Sequence, residues 1–187
     1  MSEKNLIKKI AENPDAFSYV IDTYREKLMR YIMRTTDISF VDAESLLQDI
    51  FIKIYRYINE YDERYSFSSW IYRIAHNMIV DNYRKSKKES GNISLDDEEY
   101  KNIVDSLSDG NSPHHDLQKN DIRLCVQKSI SSLPKNYKEI ILLKYIEGYS
   151  YEDISDILKI PIGTSSTLLN RARKQLKENL EKFKCNS

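Results

Sequence analysis

Glycine and proline are scarce in this chain, four of each among 187 residues. A strand-rich fold needs turn residues every eight to twelve positions or so. So few breakers leave long stretches without a turn signal, and helix becomes the expected class. Cysteine is scarcer still. Cys125 and Cys185 lie far apart with no pairing pattern, which suits thiols kept reduced in a cytoplasm. No apolar run approaches the ~18–20 residues that a membrane span needs. The opening stretch, MSEKNLIKKI, lacks the unbroken apolar segment of a secretory signal. A cytoplasmic location without direct membrane insertion is therefore expected. Net charge is absent too, with 29 basic and 29 acidic side chains, which by itself argues against a generic nucleic-acid coat.

What is present is a solvated yet core-forming composition, 40% hydrophobic and 31% charged, long enough for one ordinary domain or two small ones. The zero net charge hides a pattern. Residues 1–88 carry 15 basic and 13 acidic side chains, residues 89–121 carry 2 and 9, and residues 122–187 carry 12 and 7. Two mildly basic blocks thus flank an acidic one. The acidic stretch is rich in Ser, Asn and Asp, holds Gly91 and Gly110, and shows no sustained helical period. It is expected to be a flexible linker. The division that follows is an all-α chain of two small helical domains, 1–88 and 119–187, joined by an acidic linker, 89–118.

Three to four helices are expected in the first block. Asn13-Pro14-Asp15 is a start signal with Asp15 as candidate N-cap, and Phe17, Ile21, Tyr24, Leu28 and Tyr31/Ile32 then recur at helical spacing. Asp42 can cap the next helix, in which Ala43, Leu46, Leu47, Ile50, Phe51, Ile54 and Ile58 form one stripe. A polar turn at 59–64 follows. Ser66 or Ser68 opens a third helix with Phe67, Trp70, Ile71, Ile74, Ala75 and Met78 inward, ending in the basic cluster Arg84, Lys85, Lys87 and Lys88. One or two cations suit a helix C-terminus; four exceed that need.

The second block reads as four more helices: Ile122–Ile130, a Pro134-led helix stopped by Gly148, a short helix behind the capping box Ser150-Tyr151-Glu152-Asp153, and a final helix from about Thr164 to Leu180. The last two, joined by Lys159-Ile160-Pro161-Ile162-Gly163, have the helix-turn-helix layout, whose second helix can enter the major groove. Its inward face is Ser165, Leu169, Ala172, Leu176 and Leu180. Its outward face is Ser166, Thr167, Asn170, Arg171, Arg173, Lys174 and Lys177. Hydroxyls and an amide near the start can reach base edges, and the cations beyond can hold phosphates. A solvated face on a plain bundle is the bland account, but it does not explain the capped short helix and the Pro-bearing turn.

At these residues the chain resembles the extracytoplasmic-function sigma factors. Tyr149–Leu176 (YSYEDISDILKIPIGTSSTLLNRARKQL) is similar to their region 4 helix-turn-helix, together with Leu133-Pro134 and the LLKYIE of 142–147. Asp42–Tyr55 (DAESLLQDIFIKIY) resembles the region 2 helix that docks on the polymerase clamp. Phe67–Lys85 (FSSWIYRIAHNMIVDNYRK) resembles the helix that recognises and opens the minus-ten element. The resemblance implies that Ser45, Gln48, Asp49 and Lys53 face the clamp helices of the largest polymerase subunit. It implies that Tyr61, Tyr65, Ser68, Trp70, Asn77, Asp81, Arg84 and Lys85 serve minus-ten recognition and melting, the aromatics as stacking surfaces for an unpaired base, although Trp70 also lies on the core stripe. Thr164, Ser166, Thr167, Asn170, Arg171, Arg173 and Lys174 would contact the minus-thirty-five element. Implied partners are core RNA polymerase (clamp helices and flap), promoter DNA and an anti-sigma factor. No covalent chemistry and no cofactor is implied. The family uses the linker inside the polymerase's RNA path, where a net charge of −7 would mimic a nucleic-acid strand.

The chain departs from the family pattern in places. Ser165 stands where an apolar residue is usual, Ser166 for Lys, Leu168 for Arg, Lys159 for Gly or Asn, and Ser45 for Asp. The first three alter the reading helix and imply a changed promoter preference. A left-handed Lys159 would cost about 1 kcal/mol. Two other classes compete with this reading. A stand-alone helix-turn-helix regulator would share the second block but has no use for Asp42–Tyr55 or Phe67–Lys85. A metal protein would have to use His114, His115 and Cys125, whose spacing fits no common zinc site. His76 stands alone on the third helix, and no nucleophile has a base beside it.

Overall fold

The computed structural model describes residues 3–89 and 117–185, and every regular element among them is helical. The expected linker falls, from 90 to 116, outside the described residues, as do His114 and His115. The first unit holds α1 (Glu3–Glu12), α2 (Ser18–Thr35), α3 (Phe40–Tyr57) and α4 (Phe67–Glu89). Between α1 and α2 lies a single 3-10 turn, Pro14–Phe17. Its cap is Asn13, whose Oδ1 accepts from the Asp15 N–H at 3.0 Å, so Asp15 is not the cap expected from the sequence. Helix α3 begins one turn earlier than expected for the same kind of reason. Ser39 is its N-cap, with Asp42 in the third helical position returning a carboxylate to the Ser39 hydroxyl at 2.7 Å. Ser66 opens α4 by accepting from the Ser69 N–H.

The core of this unit follows the helical period closely. All seven expected α3 residues are buried, and so are Phe67, Trp70, Ile71, Ile74 and Ala75 of α4, with Met78 packed at the edge. Phe67 and Trp70 stack at 5.7 Å, and Tyr61 meets both rings edge-on. Helix α4 also buries residues outside its expected stripe, Ser69, Tyr72 and Ile79. Tyr72 is as buried as the core, on the opposite side of the helix.

The second unit holds α5 (Leu117–Ser131), α6 (Lys135–Ile141), a π-helical turn (Leu142–Ile146), α7 (Tyr151–Leu158) and α8 (Ile162–Lys182). The π turn widens the helix by one residue, burying Leu142 and Leu143 while Tyr145 and Ile146 point out. Gly148 then reverses the chain at φ 79°, where a side chain would be strained. Helix α8 packs on α5, α6 and α7.

Cys125 and Cys185, expected to be unpaired, form a disulfide with a Cα–Cα distance of 5.5 Å. Sixty residues of separation hide the pairing in the sequence. It exists because α5 packs on α8, and because a left-handed Lys184 turns the chain back after α8, Cys185 N–H meeting the Leu180 carbonyl. Reduction should therefore lower the unfolding midpoint of the second unit, by a margin worth about 2–4 kcal/mol. Thermal denaturation with and without dithiothreitol measures this, and the Cys185→Ser chain should not respond to reductant.

The two units do not stand apart. Helix α4 packs along α7, α2 touches α6, and buried residues of both units form one continuous core. This is why Tyr72 is buried: its ring lies 5.1 Å from Tyr31 and 5.2 Å from Tyr149, the latter from the second unit.

Candidate nucleic-acid interface

The helix-turn-helix is built by local chemistry that the sequence announced. Ser150 accepts from the Asp153 N–H at 3.0 Å and the Asp153 carboxylate accepts from the Ser150 N–H at 3.2 Å, closing the capping box. Helix α7 ends at Lys159, which is left-handed at φ 53°, ψ 43°. Ser155 helps hold that turn by donating its hydroxyl to the Ile160 carbonyl at 2.6 Å. Pro161 then caps α8, its carbonyl accepting from Thr164 and Ser165. Ser165, Leu169 and Ala172 are buried beneath α8, and the Ser165 hydroxyl is satisfied by the Ile162 carbonyl at 2.7 Å. A buried serine replaces an apolar residue there without leaving a polar atom unpaired.

On the outer side, Thr164, Thr167, Asn170, Arg171, Arg173 and Lys174 are exposed, while Ser166 is half-buried. Among the described residues no carboxylate pairs with Arg171, Arg173 or Lys174; the nearest ion pair along α8 is Lys177–Glu181, 3.8 Å. These cations are available to an external anion. Tyr145 and Ile146, from the π turn, add exposed apolar surface, and Tyr145 shares a groove with Asn170, Arg173 and Lys174. Helical periodicity does not foretell it, because a regular helix would have rotated Tyr145 differently.

On α3, Ser45, Gln48 and Asp49 are exposed and Lys53 is half-buried. The Ser45 hydroxyl donates to the Val41 carbonyl. Two residues missed by the sequence reading complete this face: Val41, 71% exposed, and Ile52, 49% exposed. Val41, Ser45, Gln48 and Ile52 follow one another at spacings of four, three and four, so the helical period that marked the core stripe also marks this outer one.

The minus-ten candidates divide into three groups. Asn77, Asp81, Arg84 and Lys85 lie exposed along α4, Asp81 and Arg84 forming a loose 3.8 Å pair. Tyr65 is exposed with the Arg73 guanidinium 5.7 Å over its ring, and half-buried Tyr61 donates to the Tyr65 carbonyl at 2.6 Å. The third group is covered. Trp70 is only 3% exposed and stacked on Phe67, so it cannot present a face to a base. Ser68 is hydrogen-bonded to the Tyr149 hydroxyl at 2.6 Å.

Polar chemistry dominates the seam between the units. Tyr31 donates to Glu139, which also meets His76 Nδ1 at 2.7 Å. His76, expected to stand alone, is paired by a residue sixty-three positions away. Tyr72 donates to Glu147 at 2.6 Å. Arg73 meets Asp156 at 2.9 Å, with the Asp156 side chain 5% exposed and also held by Lys159 at 2.8 Å. Burial, reinforced at Tyr31 by Glu139 and at Tyr72 by Glu147, raises both phenols well above their ordinary value. Burial raises Tyr149 too, against the opposing pull of the Ser68 hydroxyl. A phenol released to water titrates near pH ~10. Its folded value is higher, so the stabilisation is complete below that pH and is lost as pH climbs through the raised values. The radius of gyration should stay constant from about pH 7 to 9 and grow above about pH 10, in step with tyrosinate absorbance.

Comparison with known proteins agrees with this geometry. The family described as "Sigma-70 region 2" matches residues 20–89, and "Sigma-70, region 4" matches residues 123–176. An ECF RNA polymerase sigma factor of Bacillus subtilis (strain 168), SigW, is 33% identical over 189 residues, covering 96% of this chain and 97% of that protein. The ECF RNA polymerase sigma-E factor of Haemophilus influenzae is 28% identical, covering 97% and 96%. Among solved structures, the sigma factor RpoE in complex with the anti-sigma factor NepR, from Bartonella quintana, superposes with a TM-score of 0.66 at 23% identity, over 88% of this chain and 96% of that one.

Proposed function

The chain belongs to the extracytoplasmic-function family of RNA polymerase sigma factors, and from that premise we propose how its residues divide the work of promoter recognition. As a sigma factor it joins core RNA polymerase and directs initiation at particular promoters. Residues 1–88 serve as region 2 and 119–187 as region 4, with 89–118 as the tether. Helix α8 enters the major groove at the minus-thirty-five element, Thr164, Thr167 and Asn170 toward bases and Arg171, Arg173 and Lys174 toward phosphates. Ser166, half-buried, contributes only at the edge. The α3 stripe docks on the clamp helices, with Val41 and Ile52 supplying apolar contact beside Ser45, Gln48 and Asp49; Lys53 flanks it. Tyr61 and Tyr65 offer stacking surfaces for an unpaired base, worth about 1–3 kcal/mol each. Asn77, Asp81, Arg84 and Lys85 track the adjacent strand, and Trp70 supports this surface from beneath.

Melting needs no covalent chemistry, since a protein that binds separated strands better than paired ones shifts that equilibrium by the difference. Acting with core polymerase, the chain would reside in the cytoplasm, and an anti-sigma partner would act by covering the same faces. The observation that carries this reading is the exposed, cation-bearing side of α8 seated on a capped α7. Run-off transcription tests it: the purified chain should confer a specific start site on core polymerase. A chain that shifts operator DNA alone, and never joins polymerase, would instead be a stand-alone regulator. Gln48→Ala with Asp49→Ala should weaken assembly with core by about 5–30-fold, measured by fluorescence anisotropy of the labelled chain, with the duplex contact of region 4 unchanged.

A further inference from the structure

One side of the first turns of α8 offers a base less polar chemistry than its sequence promises. Thr164, Thr167, Leu168 and Arg171 follow one another at spacings of three, one and three, so they share a face of the helix. With Gly163 they border an open hollow of about 220 Å³. A Cβ placed on Gly163 would meet nothing within 4 Å, so this end of the hollow is unobstructed. The Thr167 hydroxyl donates to the Gly163 carbonyl at 2.9 Å, and its proton is therefore not free for a base acceptor. Leu168 is half-buried, packed on the core with one part of its side chain and lining the hollow with the rest. Arg171, exposed, stands at the rim toward the middle of the helix. Leucine neither donates nor accepts a hydrogen bond. What it can recognise in a major groove is the one apolar feature displayed there, the C5-methyl group of thymine. Cytosine has only hydrogen at that carbon and a donor beside it, and the purines present N7 and a polar substituent. Each of those would leave the hollow unfilled or set a polar group against leucine without a partner.

We propose that Leu168 is a specificity-determining residue that selects a thymine in the upstream duplex. It receives the 5-methyl group in the hollow between Thr164, Thr167 and its own side chain, while Arg171 holds a neighbouring phosphate. The proposal rests on the reading of α8 as a major-groove helix and names what that helix selects. Position supports it, because the N-terminal residues of a recognition helix are the ones that reach base edges, and all four residues lie in the N-terminal half of α8. Arginine, the usual residue of the family at position 168, would fill the same space with charge and hydrogen-bond donors. Burying one methyl group changes affinity about fourfold, enough to set a preference at one base pair.

The test offers the full chain, with and without core RNA polymerase, a pool of duplexes carrying a randomised block, and reads the retained sequences. The selected consensus should contain a thymine whose replacement by deoxyuridine, which removes only the methyl group, weakens binding about fourfold. In the Leu168→Ala chain the thymine and deoxyuridine duplexes should bind equally. Leu168→Met, apolar and of similar volume, should keep the difference. Leu168→Arg should abolish it while steepening the salt dependence by about one phosphate, and its aliphatic stem can still pack on the core, which covers the case of an unfolded alanine variant. A wild-type chain indifferent to every replacement of thymine by deoxyuridine overturns the proposal. So does a pool retained without sequence preference, or a difference that persists undiminished in both Leu168→Ala and Leu168→Arg. Duplex retained by a chain that never joins polymerase would sink the sigma reading and leave this one standing, whereas no retention in either arm sinks both.

Discussion

Replacing Arg173 and Lys174 together with alanine should lower the affinity of region 4 for every duplex by about the same factor. On the proposed reading each cation neutralises one phosphate, and the logarithm of the binding constant changes with that of salt by about 0.9 per phosphate. Two contacts are worth about thirtyfold at 0.15 M salt, and the salt slope flattens by about 2. Titrating labelled promoter duplexes at several salt concentrations gives both quantities. Asn170→Ala provides the contrast. An amide aimed at a base edge carries about 1–3 kcal/mol of discrimination at one position, so its loss should relax preference there and leave the salt slope alone. Equal losses on all sequences from Asn170→Ala would move it from the reading set to the positioning set.

Trp70→Ala should cost about 3–5 kcal/mol of stability, the range for deleting a large buried aromatic. Trp70 is 3% exposed, stacked on Phe67 and touched by Tyr61; removing it opens a cavity between α4 and the 58–66 turn. Urea denaturation of the free chain, without DNA or polymerase, reads the loss directly. A stacking surface for a flipped base would behave oppositely, leaving stability intact while binding fell. The distinction matters because Tyr61 rests on the same cluster. A weakened Trp70 should therefore also loosen the neighbouring aromatics that remain candidates for base capture.

The elements that were legible in the sequence are those governed by local rules. The α3 stripe, the Ser150 capping box and the positive φ at Gly148 each follow from a period of 3.6 or from the chemistry of a few neighbouring residues, whereas the left-handed Lys159 followed only from the family pattern, which has Gly or Asn there. Caps were harder. Ser39 and Asn13 outcompeted Asp42 and Asp15 because they sit three and two residues ahead, and each side chain accepts from the backbone N–H of the expected residue. What sequence could not disclose is the seam. Tyr31, Tyr72, His76 and Arg73 find their partners more than sixty residues away, and no periodicity within one helix encodes a neighbour on another unit. The Cys125–Cys185 bond and the outward Tyr145 were missed alike, the first through separation and the second through a π turn that shifts helical phase by one residue.

Asp156 is gripped from two sides, by Arg73 of the other unit and by Lys159 three residues along its own chain. When the guanidinium withdraws, the ammonium stays, so the carboxylate is never abandoned without a counterion. A joint of this kind can be undone and remade repeatedly, because neither direction requires stranding a bare anion in a poorly hydrated place. Had Lys159 been the glycine that its backbone conformation invites, the fold would have gained a more relaxed turn and a much stickier hinge.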